Sequence, residues 1–356
     1  MWTSRELLDL RGDTRAEGRT VFTYRFDHLD GLDSLTRHEE ESPSPQRGEV
    51  LVRVRSVALN YRDIAIPLGR YVWDARPGLI PCSDAAGEIV ETGDGVDSFE
   101  PGDRVVSCFH SRWFGGRPPA NLMLDTYGSG KDGWLTQYAV VSQDAVVKIG
   151  DELSFGEAST LPCAGVTAWN ALSGPSPIRP GDTVLTQGSG GVSIFAIQLA
   201  KALGASVIAT TTSADKEALL RDLGADRTIN TRDTPEWGGV VRDMTGDGVD
   251  RIVEVVGPQT IHQSLAAIRW NSEIVLVGFL SSTGPDINYF TLKGSGASIR
   301  SIGVGDRTML EELIRVVAAA GIRPVIDSTY SFNEAPQAFR HLADGRHTGK
   351  IVIELT

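Results

Sequence analysis

The spacing of apolar residues changes character once along this chain, near Ser154. Before that point they recur every second residue in short runs: TVFTYRF (20–26), EVLVRVRSVAL (49–59), GEIVETG (87–93), DRVVSC (103–108) and LTQYAVV (135–141). A period of two marks half-buried strands, and turns at Asp30-Gly31, Gly93-Asp94-Gly95 and Pro101-Gly102-Asp103 punctuate them. The pattern predicts a compact antiparallel β domain. The polar stretch HEEESPSPQRGE (38–49) reads as a solvated connector, and residues 1–18 as a charged N-terminal extension.

Beyond Ser154, FGEASTLPCAGVTAWNAL (155–172) has helical spacing, after which strand and helix alternate. The apolar runs DTVLTQ (182–187), SVIATTT (206–212), RIVEVVG (251–257) and EIVLVGF (273–279) are interleaved with VSIFAIQLAKALG (192–204), DKEALLRDLG (215–224) and IHQSLAAIRW (261–270). Short, largely apolar strands separated by helices predict parallel βαβ units covered on both faces. A helix over RTMLEELIRVVAAAG (307–321), a helical segment near 334–342 and the strand KIVIEL (350–355) follow. The fold class is therefore α/β, a β-rich domain into which a doubly wound parallel sheet is inserted.

At 356 residues the chain has the length of two domains. Its 34 Lys and Arg against 46 Asp and Glu give a net charge of -12, which argues against nucleic acid as a partner. Cys82, Cys108 and Cys163 are scattered, with neither the number nor the spacing of a disulfide framework. The six histidines show no ligand spacing either. No apolar run reaches the roughly 20 residues of a membrane span, and the charged N-terminus has no signal core. These features predict a soluble, cytoplasmic protein with no membrane partner.

The sharpest local signal is strand, glycine turn, helix: TVLTQ, then Gly188-Ser189-Gly190-Gly191-Val192-Ser193, then Ile194–Leu203. Gly188 permits a tight turn, Gly190 permits close backbone approach to a pyrophosphate, and the helix N-terminus supplies unpaired N–H groups. Gly191, Val192 and the small Ser193, which stands where the third glycine is usual, complete the cofactor turn. An NAD site places an acid about 20 residues on, for the ribose hydroxyl. Here the second strand ends in Thr212-Ser213, with Lys216 behind, a mouth that accepts a 2′-phosphate and favours NADPH over NADH.

Several ordered segments, VALNYRD (57–63), GLIPCSDAAGEIVETG (78–93), PGDRVV (101–106), LPCAGVTAWNAL (161–172), the glycine turn and GKIVIEL (349–355), resemble the medium-chain dehydrogenase/reductase superfamily, in its zinc-independent, quinone-oxidoreductase-like branch. The resemblance implies a GroES-like β-barrel catalytic domain (19–164 and 306–356), a Rossmann NADP(H)-binding domain (165–305), an active site in the cleft between them, and a homodimer built through edge strands within 284–304. Zinc-dependent relatives carry cysteine, histidine and cysteine where this chain has Asn60, Ser83 and Cys163, so no metal is expected. By the same resemblance Tyr71 donates a proton or orients substrate, and Asn60 and Tyr61 hydrogen-bond substrate or ribose. Asp63 anchors their loop. Thr167, Gly278, Phe279 and Val304 contact the nicotinamide, and Lys350 contacts a cofactor phosphate.

Without a Lewis acid the easier acceptor is conjugated, since hydride added at the β-carbon sends charge to an oxygen that hydrogen bonds can stabilise. The function expected is hydride transfer from NADPH to a hydrophobic quinone or α,β-unsaturated carbonyl. The alternatives are a zinc-free alcohol dehydrogenase or ketone reductase, and an NADPH-binding protein without redox turnover. The long irregular segment 110–133, with Trp113, Phe114 and Tyr127, is either a cap on the substrate or a surface loop.

Overall fold

The computed structural model describes residues 20–71 and 75–355. The charged extension expected over 1–18, and the Val72-Trp73 that follow Tyr71, lie outside the described residues. The described chain divides into two compact units, one holding residues up to Pro162 with Thr329–Gly345 and Val352 onward, the other Cys163–Ser328 with Arg346–Ile351.

The first unit opens with a hairpin of β1 (Thr20–Phe26) and β2 (Leu35–Glu41). This corrects the reading of 38–49 as a connector, because residues 38–41 are strand. Arg25 of β1 grips Glu40 through two hydrogen bonds of 2.6 and 3.0 Å, and Thr36 of β2 donates to Asp27 at 2.5 Å. Next come β3 (Glu49–Ala58), α1 (Tyr61–Ala65), β4 (Asp84–Thr92), β5 (Arg104–Ser107), β6 (Tyr138–Ser142) and β7 (Val146–Lys148). β3 pairs antiparallel with β4 and β6, and β5 joins β4 to β7. Val50, Leu51, Val52 and Val57 of β3 are buried, so this strand is covered on both faces over 50–52, where the period of two predicts one. Within 110–133, Trp113 and Tyr127 are buried against His110 and Trp134, and only Phe114 of the three aromatics is exposed.

The helical run at 155–172 is broken in two. α2 (Phe155–Ser159) starts from a Ser154/Glu157 capping box, a π turn spans Leu161–Gly165 around Pro162, and α3 (Val166–Ser173) resumes. Proline has no N–H to continue the α ladder, which accounts for the break. The second unit then runs β8 (Thr183–Gln187), α4 (Gly191–Ala202), β9 (Ser206–Thr211), α5 (Glu217–Asp222), β10 (Arg227–Asn230), α6 (Trp237–Thr245), β11 (Val249–Glu254), α7 (Ile261–Ala267), β12 (Ile268–Leu276), α8 (Tyr289–Ser295), β13 (Ser298–Ser301) and α9 (Arg307–Ala320). The strands pair in parallel in the order β10-β9-β8-β11-β12-β13. The order reverses between β8 and β11, the switch point at which such sheets bind ligands. Residues 268–270 are strand rather than helix, because Ile268 pairs with Val249.

α9 packs in the second unit and not with the first, as the resemblance had implied for 306–356. Its stripe of Leu310, Leu313 and Val317 is buried, and the Trp169 indole of α3 donates to Glu312 at 3.1 Å. β14 (Ile326–Ser331), α10 (Ala335–Asp344) and β15 (Lys350–Glu354) complete the chain, and Val352–Glu354 pair with Ser56–Ala58 of β3.

Candidate functional site

At the switch point β8 delivers the chain into Gly188, whose φ of 76° is strained for any residue with a Cβ. Gly188 N–H donates to the Thr210 carbonyl at 2.7 Å, which ties the turn to β9. The buried Ser193 hydroxyl donates to the Gln187 carbonyl at 2.6 Å, so serine closes the turn where a third glycine is usual. Helix α4 begins at Gly191, earlier than its sequence spacing indicated, and no side chain caps it. A Cβ built on Gly188 or Gly190 would meet nothing within 4 Å. A helix N-terminus without a side-chain cap, reached through two glycines whose Cβ positions are open, is what a pyrophosphate requires, and the residues fit a dinucleotide. Gly191 is different. A Cβ there would stand 2.6 Å from Lys350 Cδ and 3.2 Å from Ala164 Cβ. Lys350 is buried, with its stem laid across the first residue of α4.

The turn has a support that the glycine pattern does not reveal. Glu254, at the end of β11, is fully buried. Its carboxylate accepts from Gln187 Nε2 (2.7 Å), Thr260 Oγ1 (2.6 Å), Ser264 Oγ (2.5 Å) and the N–H groups of Val256 (3.1 Å) and Gly257 (3.0 Å). Buried charge persists where its lone pairs are matched in this way. An acid between Val253 and Val255, in the run IVEVV (252–256), was the available signal.

At the end of β9, Thr212 is exposed and Ser213 half-buried, with no acid before Asp215. The Lys216 ammonium donates to the carbonyls of Arg346 and His347 at 3.0 and 2.9 Å. Burial pushes the Lys216 pKa below its ordinary value. Lys216 therefore holds a segment carrying two further basic residues beside the strand end, a role that sequence spacing did not disclose.

On the far side of the switch point, Gly278 follows β12 so closely beside Val255 that a Cβ would lie 2.1 Å from the Val255 carbonyl oxygen. Phe279 beside it is half-buried. Thr167 is buried on α3, and Val304 follows β13 at a φ of 64°.

The remaining expected residues belong to the first unit. Asn60 caps α1, where Asp63 accepts its N–H at 2.7 Å, so Asp63 anchors this turn. Tyr61 is half-buried at the first position of α1. The buried Arg62 donates from Nη1 to the Tyr127 carbonyl at 2.6 Å and from Nε to the Tyr71 hydroxyl at 3.4 Å. Its guanidinium carbon stands 5.3 Å from the Tyr71 ring centre and 4.9 Å from that of Phe109. The Ser83 hydroxyl donates to Asp84 at 2.6 Å. A capping amide and a hydroxyl bonded to its neighbour do not fit zinc, which takes thiolate, imidazole or carboxylate. Among the described residues no group of three His, Cys, Asp or Glu side chains is placed to hold a metal ion.

Residues 46–151 match the alcohol dehydrogenase GroES-like domain family, and residues 191–319 match the zinc-binding dehydrogenase family. A zinc-type alcohol dehydrogenase-like protein of Schizosaccharomyces pombe is 37% identical over 337 residues, covering 92% of this chain and 97% of that protein. An acryloyl-coenzyme A reductase of Metallosphaera sedula is 31% identical over 329 residues, covering 88% of this chain and 95% of that protein. A crystal structure from Sinorhizobium meliloti, named for alcohol dehydrogenase, has a TM-score of 0.89 at 36% identity and covers 95% of this chain and 99% of that one. The chain is an oxidoreductase belonging to the medium-chain dehydrogenase/reductase superfamily, with a GroES-like domain and a Rossmann domain. Members of this superfamily use nicotinamide dinucleotides. Among the described residues no helix is long and apolar enough to cross a membrane.

Proposed function

We propose that this oxidoreductase is zinc-independent, uses NADPH, and reduces a hydrophobic quinone or α,β-unsaturated carbonyl. The observation that carries the reading is the donor set of the first unit, an Asn60 amide in a helix cap and a Ser83 hydroxyl bonded to Asp84, which by the resemblance stand where zinc-dependent relatives carry a thiolate and an imidazole. A substrate that carries its own electron sink needs no Lewis acid. The cofactor, when bound, supplies the hydride. The electron pair arriving at the substrate β-carbon is delocalised onto the carbonyl or quinone oxygen, and a proton completes the reduction. Tyr71 provides that proton, and the Arg62 guanidinium beside it offsets the charge left on the phenol oxygen. Asn60 and Tyr61 orient the substrate.

Thr212, Ser213 and Lys216 end β9 without the acid that would hold a ribose hydroxyl, which suits the 2′-phosphate, and the Lys216 tether brings the Arg346–His347 segment to the same strand end, where Asp327 also acts on Lys216. The Lys350 stem crosses the first residue of α4, so an anion at that helix N-terminus would be attracted by both the helix dipole and the lysine charge. Lys350 therefore supports a pyrophosphate at the turn. We further propose a homodimer through the β13 edge, where Trp270, Ile287, Tyr289, Phe290 and Ile299 are exposed apolar side chains on one short stretch of chain. The alcohol dehydrogenase names of the relatives support a second reading, an alcohol dehydrogenase or ketone reductase, which on this chain's donor set would be zinc-free.

A side-by-side titration with NADPH and NADH, followed by tryptophan quenching, tests the cofactor assignment. Preference for NADPH that Lys216→Ala abolishes is the expected result. Preference for NADH overturns the 2′-phosphate mouth.

A further inference from the structure

We infer that Asn170 is a positioning residue for the nicotinamide half of the site, acting through the backbone of Val304. The inference rests on the dinucleotide reading above. Val304 has a φ of 64°, a conformation in which its Cβ crowds the backbone and which β-branched residues rarely adopt. Residues persist there only where their surroundings impose it, most often beside bound ligands.

Three contacts impose it here. Asn170 Nδ2, buried on α3, donates to the Val304 carbonyl at 2.6 Å. A Cβ on the next residue, Gly305, would stand 2.7 Å from Val166 of α3 and 2.8 Å from Met309 Sδ, so this corner lies directly against α3. Asp306 then caps α9, accepting the Met309 N–H at 2.9 Å. Of the three, the Asn170 bond is the one made to Val304 itself.

The Asn170 amide cannot turn over. Arg300 Nη1 donates to its Oδ1 at 2.9 Å, and an arginine has no acceptor, so Nδ2 must face Val304. Arg300 is held by Glu273 through bonds of 3.0 and 3.2 Å, and Glu273 in turn by Arg251 at 2.6 Å. A chain of matched charges along β11, β12 and β13 thus ends in one amide aimed at one carbonyl. With that carbonyl committed, the Val304 N–H, which has no acceptor among the described residues, remains as a donor for the nicotinamide carboxamide oxygen. Thr167 lies three residues before Asn170 and so on the same face of α3. Asn170 thereby fixes the distance between the two expected nicotinamide contacts.

The test is a double-mutant cycle. Asp at 170 still accepts from Arg300 but turns a lone pair toward the Val304 carbonyl, while Gly at 304 holds a positive φ without strain. Binding of NADPH is followed by nicotinamide fluorescence, and binding of adenosine 2′,5′-bisphosphate, which reports the other half of the site, by calorimetry. N170D is expected to weaken NADPH about tenfold, the worth of one buried hydrogen bond, with the bisphosphate unchanged. In the V304G background the same substitution should cost less than about threefold, because no strain remains to be held. Should N170D fail to fold, N170S replaces it. Equal weakening of both ligands, or an equal cost in both backgrounds, overturns the inference. If the wild-type chain prefers NADH, the cycle is run with NADH and adenosine 5′-monophosphate. A wild-type chain that binds neither dinucleotide overturns the cofactor reading, and this inference with it.

Discussion

Gly190 and Gly191 are neighbours that lack side chains for opposite reasons. A Cβ on Gly190 points into open space, whereas one on Gly191 meets Lys350 and Ala164. Gly190→Ala should therefore fold normally, within about 0.5 kcal/mol of wild type in chemical denaturation, as surface changes do. It should still lose NADPH affinity at least about tenfold, since the new methyl occupies the space proposed for the pyrophosphate. Gly191→Ala must displace the Lys350 stem, so it should lose both stability, by about 1 kcal/mol, and affinity. Equal behaviour of the two variants contradicts the placement of the phosphates. The glycine turn and Ser193 were legible in the sequence because backbone geometry restricts which residues those positions accept. Asn170, Glu254 and the Lys216 tether were not legible. Each acts by a contact across more than 60 positions of sequence, and a polar residue within an apolar run does not name its partner.

Among the elements, β2 shows how charge holds an edge. Arg25 of β1 donates to Glu40 and holds its carboxyl below the ordinary value of 4.5, against the opposing effect of burial. A depressed carboxyl contributes stability that is present above its unfolded-state value and is lost as pH falls through the lower folded value. Glu40→Gln should then cost roughly 0.5–1 kcal/mol at neutral pH, the range for a partly exposed pair. The cost should fade as the pH drops below about 4, where the wild-type carboxylate also takes up a proton. Thermal unfolding of both proteins across that range checks this, and a pH-independent difference refutes it. The hairpin was the element least legible in the sequence, because an acidic run reads as solvated until the arginine opposite it is known. The βαβ strands were the most legible, since burial on both faces leaves each with an apolar run such as Val184-Leu185, Val207-Ile208, Ile252-Val253 and Ile274-Val275. The helix over 155–172 was legible as helical but not as broken, and Pro162 was the signal for the break.

Over the whole molecule, two compact units and a switch-point sheet follow from the two periods of the chain. What the periods did not fix was the allegiance of α9, whose buried stripe is compatible with either unit until the partner of Trp169 is known. The proposed β13-edge dimer makes its own prediction. The wild-type chain should sediment at twice its 38.3 kDa mass, and Phe290→Asp with Ile299→Asp should reduce it to a single chain of unchanged circular dichroism. A wild-type monomer contradicts that surface assignment.

The central claim concerns the chemistry, and its most direct measurement is NADPH oxidation by chelator-treated enzyme with an α,β-unsaturated ketone and with the saturated ketone of the same skeleton. The account predicts turnover of the unsaturated compound, reduced at the carbon–carbon double bond, with little or none of the saturated one. Turnover of the saturated ketone alone, or activity that appears only when zinc is restored, contradicts it.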